Sequence, residues 1–142
     1  MKQWASVAMG LVLLAGQGAQ TMEQRRVISA GAPPIGPYSP AVVAGGLVYV
    51  SGLLGNTADN KGDIEAQTKE LLARAGRTMA AAGFGWGDVV DGIVYITDLA
   101  NFNGMNTGYR TAFAKDFPAR ATVKVGLVGV DGLVEIMFVA SK

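Results

Sequence analysis

The sequence predicts an α+β fold, a mixed β-sheet with two helices on one face. Three observations predict it. Two short β-rich runs, residues 41–44 and 47–51, flank Gly45-Gly46. Two stretches have apolar residues at helical spacing, and three more β-rich runs follow the first of them. Two helices cannot cover both faces of such a sheet, so they are expected together on one face. The other face, where apolar, needs a partner chain.

The elements follow in chain order. Residues 1–4 carry one Lys, residues 5–15 form a charge-free apolar run, and Gly16, Gly18 and Ala19 supply small residues. That is the three-part form of a secretory signal peptide, too short to span a membrane as a helix. We therefore expect a signal peptide at 1–19, a lead-in at 20–31 and one domain at 32–142, placed in a periplasm or outside the cell. No Cys follows the run to carry a lipid anchor, and no stable membrane association is expected after cleavage. The alternative is a start at Met22, which makes the protein cytoplasmic.

Residues 32–40 hold four prolines, which fix φ and push their predecessors away from helix. Gly45-Gly46 reads as a tight hairpin, and residues 53–62 read as a loop. Asp63 is a fair N-cap for a helix in which Ile64, Thr68, Leu71, Leu72, Ala75, Met79 and Ala82 share a face, ended by Gly83. Residues 89–97 read as a strand. Asp98 or Asn101 caps a second helix, with Phe102, Met105, Tyr109 and Phe113 as its stripe. Pro118 breaks it. Residues 121–126 and 133–140 read as two strands paired through a turn around Gly129 and Gly132.

Composition narrows the chemistry. The chain has 142 residues, half of them hydrophobic and 16% charged, with net charge +1. That length suits one domain with a proper core, and the low charge points to surface covered by another subunit. No run of Lys or Arg builds a phosphate-binding stripe, so no nucleic-acid partner is expected. The chain has no His and no Cys. The usual neutral-pH base, thiol catalysis, disulfides and thiolate metal sites are thereby excluded. The 11 acidic residues show no metal-binding spacing, so neither metal nor cofactor is expected. Gly83-Phe84-Gly85 follows a helix and is no phosphate loop.

Several residues could carry chemistry. Arg120 stands at the mouth of a strand, behind Pro118. It can grip a carboxylate through paired hydrogen bonds, or serve as an ordinary surface or ion-paired Arg. Alternation puts Ala121, Val123 and Val125 on one face, and Arg120, Thr122 and Lys124 on the other. Glu135 interrupts an apolar strand. It is either a carboxylate tuned by burial for proton transfer or a structural partner of Lys124 or Arg120 across the hairpin. Tyr38 in the Pro-rich segment, Ser51-Gly52 at a strand end and Asn106 beside the second helix's stripe are further candidates, each with a purely structural alternative.

These motifs together resemble the reactive intermediate deaminase family (Rid, RidA or YjgF). Ile35-Gly36-Pro37-Tyr38-Ser39-Pro40, Val50-Ser51-Gly52, Gln67, Asp98-Leu99, Asn106 with Tyr109, Phe117-Pro118-Ala119-Arg120 and Val134-Glu135-Ile136 carry the resemblance, in the family's order and spacing. It covers residues 32–140. It implies a chorismate-mutase-like α+β fold, a homotrimer with sites at subunit clefts, and cofactor-free hydrolysis of enamine or imine intermediates, such as 2-iminopropanoate or 2-iminobutanoate, to 2-oxo acids and ammonia. By position it makes Arg120 the carboxylate anchor and Glu135 the group that activates water, with Tyr38, Ser51, Gly52, Asn106 and Thr122 lining the site. Thr122 stands where many members have Cys, and Leu53 where Gln is common. The alternative function is a non-catalytic binder of small carboxylates such as 2-oxo acids.

Overall fold

A computed structural model describes residues 24–31, 33–113 and 115–142. The expected signal peptide and the residue at which it would be cleaved lie outside them. Among the described residues no helix is long and apolar enough to cross a membrane.

Strands β1 (Arg26–Ile28), β2 (Ala41–Ala44), β3 (Leu47–Leu54), β4 (Val89–Ile96), β5 (Ala119–Lys124) and β6 (Val134–Ser141) form one sheet in the order β1-β2-β3-β6-β4-β5. Only β4 and β5 pair in parallel. Helices α1 (Ile64–Ala82) and α2 (Phe102–Tyr109) pack together on the sheet. β1 lies in the stretch read as lead-in and pairs with β2.

Local chemistry accounts for most of this. Gly45 and Gly46 both adopt positive φ, 58° and 75°, as a tight hairpin twisted to suit its strands requires. The Asp63 side chain accepts from Ala66 N at 2.9 Å, and Gly83 closes α1 at φ 90°. Leu71, Leu72, Ala75, Met79 and Ala82 of α1, with Met105, Tyr109 and Phe113, bury against Val43, Val48, Val50, Val94, Ile96, Val134, Ile136 and Phe138. Asp98 caps a short 3-10 turn, Leu99–Asn101, which leads into α2.

Two expectations need correction. β5 and β6 are not a hairpin, because β4 lies between them and pairs with both. Chain neighbours joined by a glycine turn look like hairpin partners, but the segment between them crosses the end of the sheet. Strand β3 also runs past Ser51 to Leu54, where a loop was expected. The register shifts between Val50 and Leu53, so the extra residue is absorbed as a β-bulge and pairing with β6 resumes.

Gln67 is fully buried and structural. Its amide donates to Asn60 O at 3.3 Å and Asp131 O at 2.9 Å, and its carbonyl accepts from Leu133 N at 2.9 Å. One side chain thus ties α1 to the loop before it and to the connection between β5 and β6.

Candidate functional site

Register divides the candidate residues between the two faces of the sheet. Arg120 pairs with Gly92, which pairs with Phe138 in the core, so Arg120 projects on the helix side. Thr122, next on that face, has a buried hydroxyl with no hydrogen-bond partner. Glu135 pairs with Tyr95 and Leu54 on the opposite, open side.

On the helix side α2 builds a cradle for Arg120. The guanidinium lies 4.8 Å from the Tyr109 ring centroid and 6.0 Å from that of Phe102, and Nη1 donates to Met105 Sδ at 3.9 Å. The stripe read from the sequence supplies all three contacts. Rings and a thioether hold the cation in place without consuming its charge. Among the described residues no carboxylate lies within ion-pair distance of it. Beside it opens a cleft of about 360 Å³ lined by Asn106, Tyr109, Arg110, Phe117, Pro118 and Arg120. That is the lower end of the size of small-molecule sites, about 300–1,000 Å³.

The Tyr109 hydroxyl is buried and unpartnered. Burial pushes its pKa from 10.0 to about 12, the Arg120 charge opposes the rise, and Asp91 adds to it. Gly92 makes room for this ring, since a Cβ there would sit 3.2 Å from Phe138 and 3.4 Å from the Tyr109 oxygen.

On the open side the Glu135 carboxylate lies across Gly52 in the bulge, where any Cβ would overlap it. The bulge therefore sets where this carboxylate points. The Ser51 hydroxyl donates to Ser39 O at 2.7 Å and Ser51 N to Pro40 O at 3.0 Å, tying the Pro-rich segment to β3. That hydroxyl is engaged within the chain. Tyr38 sits half-exposed on the Pro-rich segment, away from the cleft lining. Around Glu135 the open face is apolar: Tyr49, Val123 and Met137 are between 40 and 48% exposed.

The chain thus gathers Arg120 and Asn106 at one cleft, with Thr122 next along the strand, and Glu135, Gly52 and Ser51 at the bulge. It does not bring the two groups together. Among the described residues the alternative ion pair of Glu135 with Lys124 or Arg120 is not formed, because β4 separates β5 from β6. Arg110, Phe117 and Pro118 line the cleft although none was singled out as a site residue. An Arg beside a helix end carries no signal that separates it from a solvated one. Among the described residues no group of three or more acidic residues could hold a metal.

Fold and cleft define a two-layer α+β protein with a cationic recess suited to small anions. A family model described as Endoribonuclease L-PSP matches residues 29–142, and the chain belongs to that family, the Rid/YjgF family. It is 39% identical over 113 residues to a RutC family protein of Sulfurisphaera tokodaii, covering 77% of this chain and 90% of that protein. It is 38% identical over 112 residues to the 3-aminoacrylate deaminase RutC of Acinetobacter baylyi, covering 76% and 89%. Among solved structures it is similar to the Rid protein YyfA of Yersinia pestis, with TM-score 0.76, 32% identity, and 84% of this chain and all of that one covered. E. coli TdcF with bound serine aligns with TM-score 0.74 and 28% identity over 82% of this chain and 98% of that one.

Proposed function

We propose that this protein hydrolyses 2-imino acids and their enamine tautomers to 2-oxo acids and ammonia, as a homotrimer whose sites lie between subunits. The observation that carries the reading is Arg120, a guanidinium held by rings with no carboxylate partner, at the mouth of a small cleft. The activity named for the Acinetobacter relative and the amino acid bound in TdcF support it, since both ligands carry a carboxylate.

In this mechanism Arg120 binds the carboxylate bidentately and orients the adjacent imine carbon. Enamine substrates first gain a proton on carbon to become imines. Protonation of the nitrogen makes that carbon electrophilic. Glu135 takes a proton from water as the water oxygen bonds to the carbon. The hydroxyl proton of the tetrahedral adduct then passes to nitrogen, the C–N bond breaks to leave the carbonyl, and the departing ammonia takes the proton back from Glu135. Trimer formation rests on the two-sided arrangement: the open face of one protomer offers Glu135 amid apolar residues, while the edge strand of another offers Arg120.

The test is hydrolysis of 2-iminopropanoate or 2-iminobutanoate generated in situ. Wild type accelerates decay over buffer. Arg120→Ala lowers kcat/KM about a hundredfold, the loss of two charge-assisted hydrogen bonds. No acceleration by wild type, with 2-oxo acids still bound, converts the reading to a carboxylate-binding protein. We also propose that residues 1–19 direct export. The N-terminal residue of protein recovered from its host tests this, and an intact Met1 or Met22 overturns it.

A further inference from the structure

We propose that the cleft selects imino acids bearing a second carboxylate, and that Arg110 recognises that second charge. This rests on the deaminase reading above and narrows its substrate class. Two guanidiniums, Arg110 and Arg120, line one cleft of about 360 Å³, and no Asp or Glu lines it. Among the described residues neither has a carboxylate within 4.0 Å.

Arg110 is also placed by the fold. Its guanidinium stacks 5.6 Å from the Phe117 ring centroid, as Arg120 stacks on Tyr109. Its backbone N–H donates to Asn106 O at 3.1 Å in the final turn of α2, the turn that also presents Tyr109. The carbonyl ends of that helix favour a cation there. Two guanidiniums lining one recess favour an occupant with two negative charges over an occupant with one. A monocarboxylate neutralises one of them. An acid with a carboxylate at each end of a four- or five-carbon chain neutralises both, which describes the imines of aspartate and glutamate.

The experiment compares the full-length wild type with Arg110→Gln and Arg110→Glu. One arm measures kcat/KM on imines generated in situ from aspartate and from alanine. The other measures affinity for 2-oxoglutarate and 2-oxobutanoate by calorimetry. We expect wild type to favour the dicarboxylate in both arms by about fivefold to tenfold, less at high salt. Arg110→Gln brings the ratio near one, and Arg110→Glu inverts it. Equal binding of the two 2-oxo acids by wild type, or an unchanged ratio in Arg110→Gln, overturns the inference and leaves the deaminase reading intact. Selective binding of 2-oxoglutarate without hydrolysis of any imine sustains the inference and removes the deaminase reading. Failure to bind either acid, together with no acceleration of either imine's decay, overturns both.

Discussion

The two faces of the sheet differ in how finished they are. The helix face is closed: Val94, Ile136 and Phe138 are fully or almost fully buried under α1 and α2. At its edge Arg120 is clamped by three side chains of α2. The open face carries Tyr49, Val123 and Met137 exposed, with Glu135 among them. A polar group amid uncovered apolar surface is an interface pattern, because water gains little from such a face and another chain gains much. The lesson is that one protomer carries Arg120 and Glu135 on opposite faces of its sheet, where its own fold cannot bring them together.

Subunit mixing tests whether the two faces meet across protomers. Glu135→Gln is expected to lower kcat by about a hundredfold or more, as loss of a general base does, and Arg120→Ala is similarly impaired. If each site takes Arg120 from one protomer and Glu135 from the next, mixing the two variants under conditions of subunit exchange restores activity. No recovery, despite mixed assemblies seen by mass spectrometry, assigns both residues to one chain.

A second contrast concerns stability. Ile136→Ala, on the closed face, is expected to cost about 2–5 kcal/mol of unfolding free energy in denaturant titration. Met137→Asp, its neighbour on the open face, leaves the protomer folded and reduces the sedimentation mass to that of a monomer. Equal effects from both substitutions would remove the distinction between the faces.

The smallest expected effect comes from Tyr109, on the closed face. Its pKa is raised in the folded state to about 12 from 10.0. Between pH 10 and 12 the unfolded chain has lost this proton while the folded chain keeps it. Stability is therefore fully present below pH 10 and falls as pH rises through that window, by about 2–3 kcal/mol at most. Tyr109→Phe is expected to abolish the fall. It changes stability little at pH 7, since it removes a hydroxyl that is buried without a partner. Urea titrations across pH 9–12 measure both.

Much of this architecture was legible because it is local. The spacing of Leu71, Leu72, Ala75 and Met79 specifies α1, and Gly45-Gly46 specifies its hairpin. The stripe of α2 was legible too, and Phe113 stays buried beyond the helix end. The placement of β5 was not. Parallel pairing with β4 joins residues about a helix apart in the chain, and no short-range pattern distinguishes it from a hairpin with β6. The bulge was hidden for a related reason, because Gly52 reads as a strand end until the partner strand shows pairing resuming at Leu53. Arg120 and Glu135 could be picked out individually by residue type and context. Their separation to opposite faces depends on strand order, which alternation within one strand cannot reveal.

Gln67 carries a consequence for how the molecule opens. Lifting the segment that ends at Leu133 away from α1 would break its bonds to Asp131 and Leu133 together, leaving the Gln67 side chain only its bond to Asn60 O. That connection has glycines at 126, 129 and 132, and a free chain of that kind would fray on its own. Gln67 anchors its final residues instead. The end of the connection, at Asp131 and Leu133, is thereby coupled to the first turns of α1.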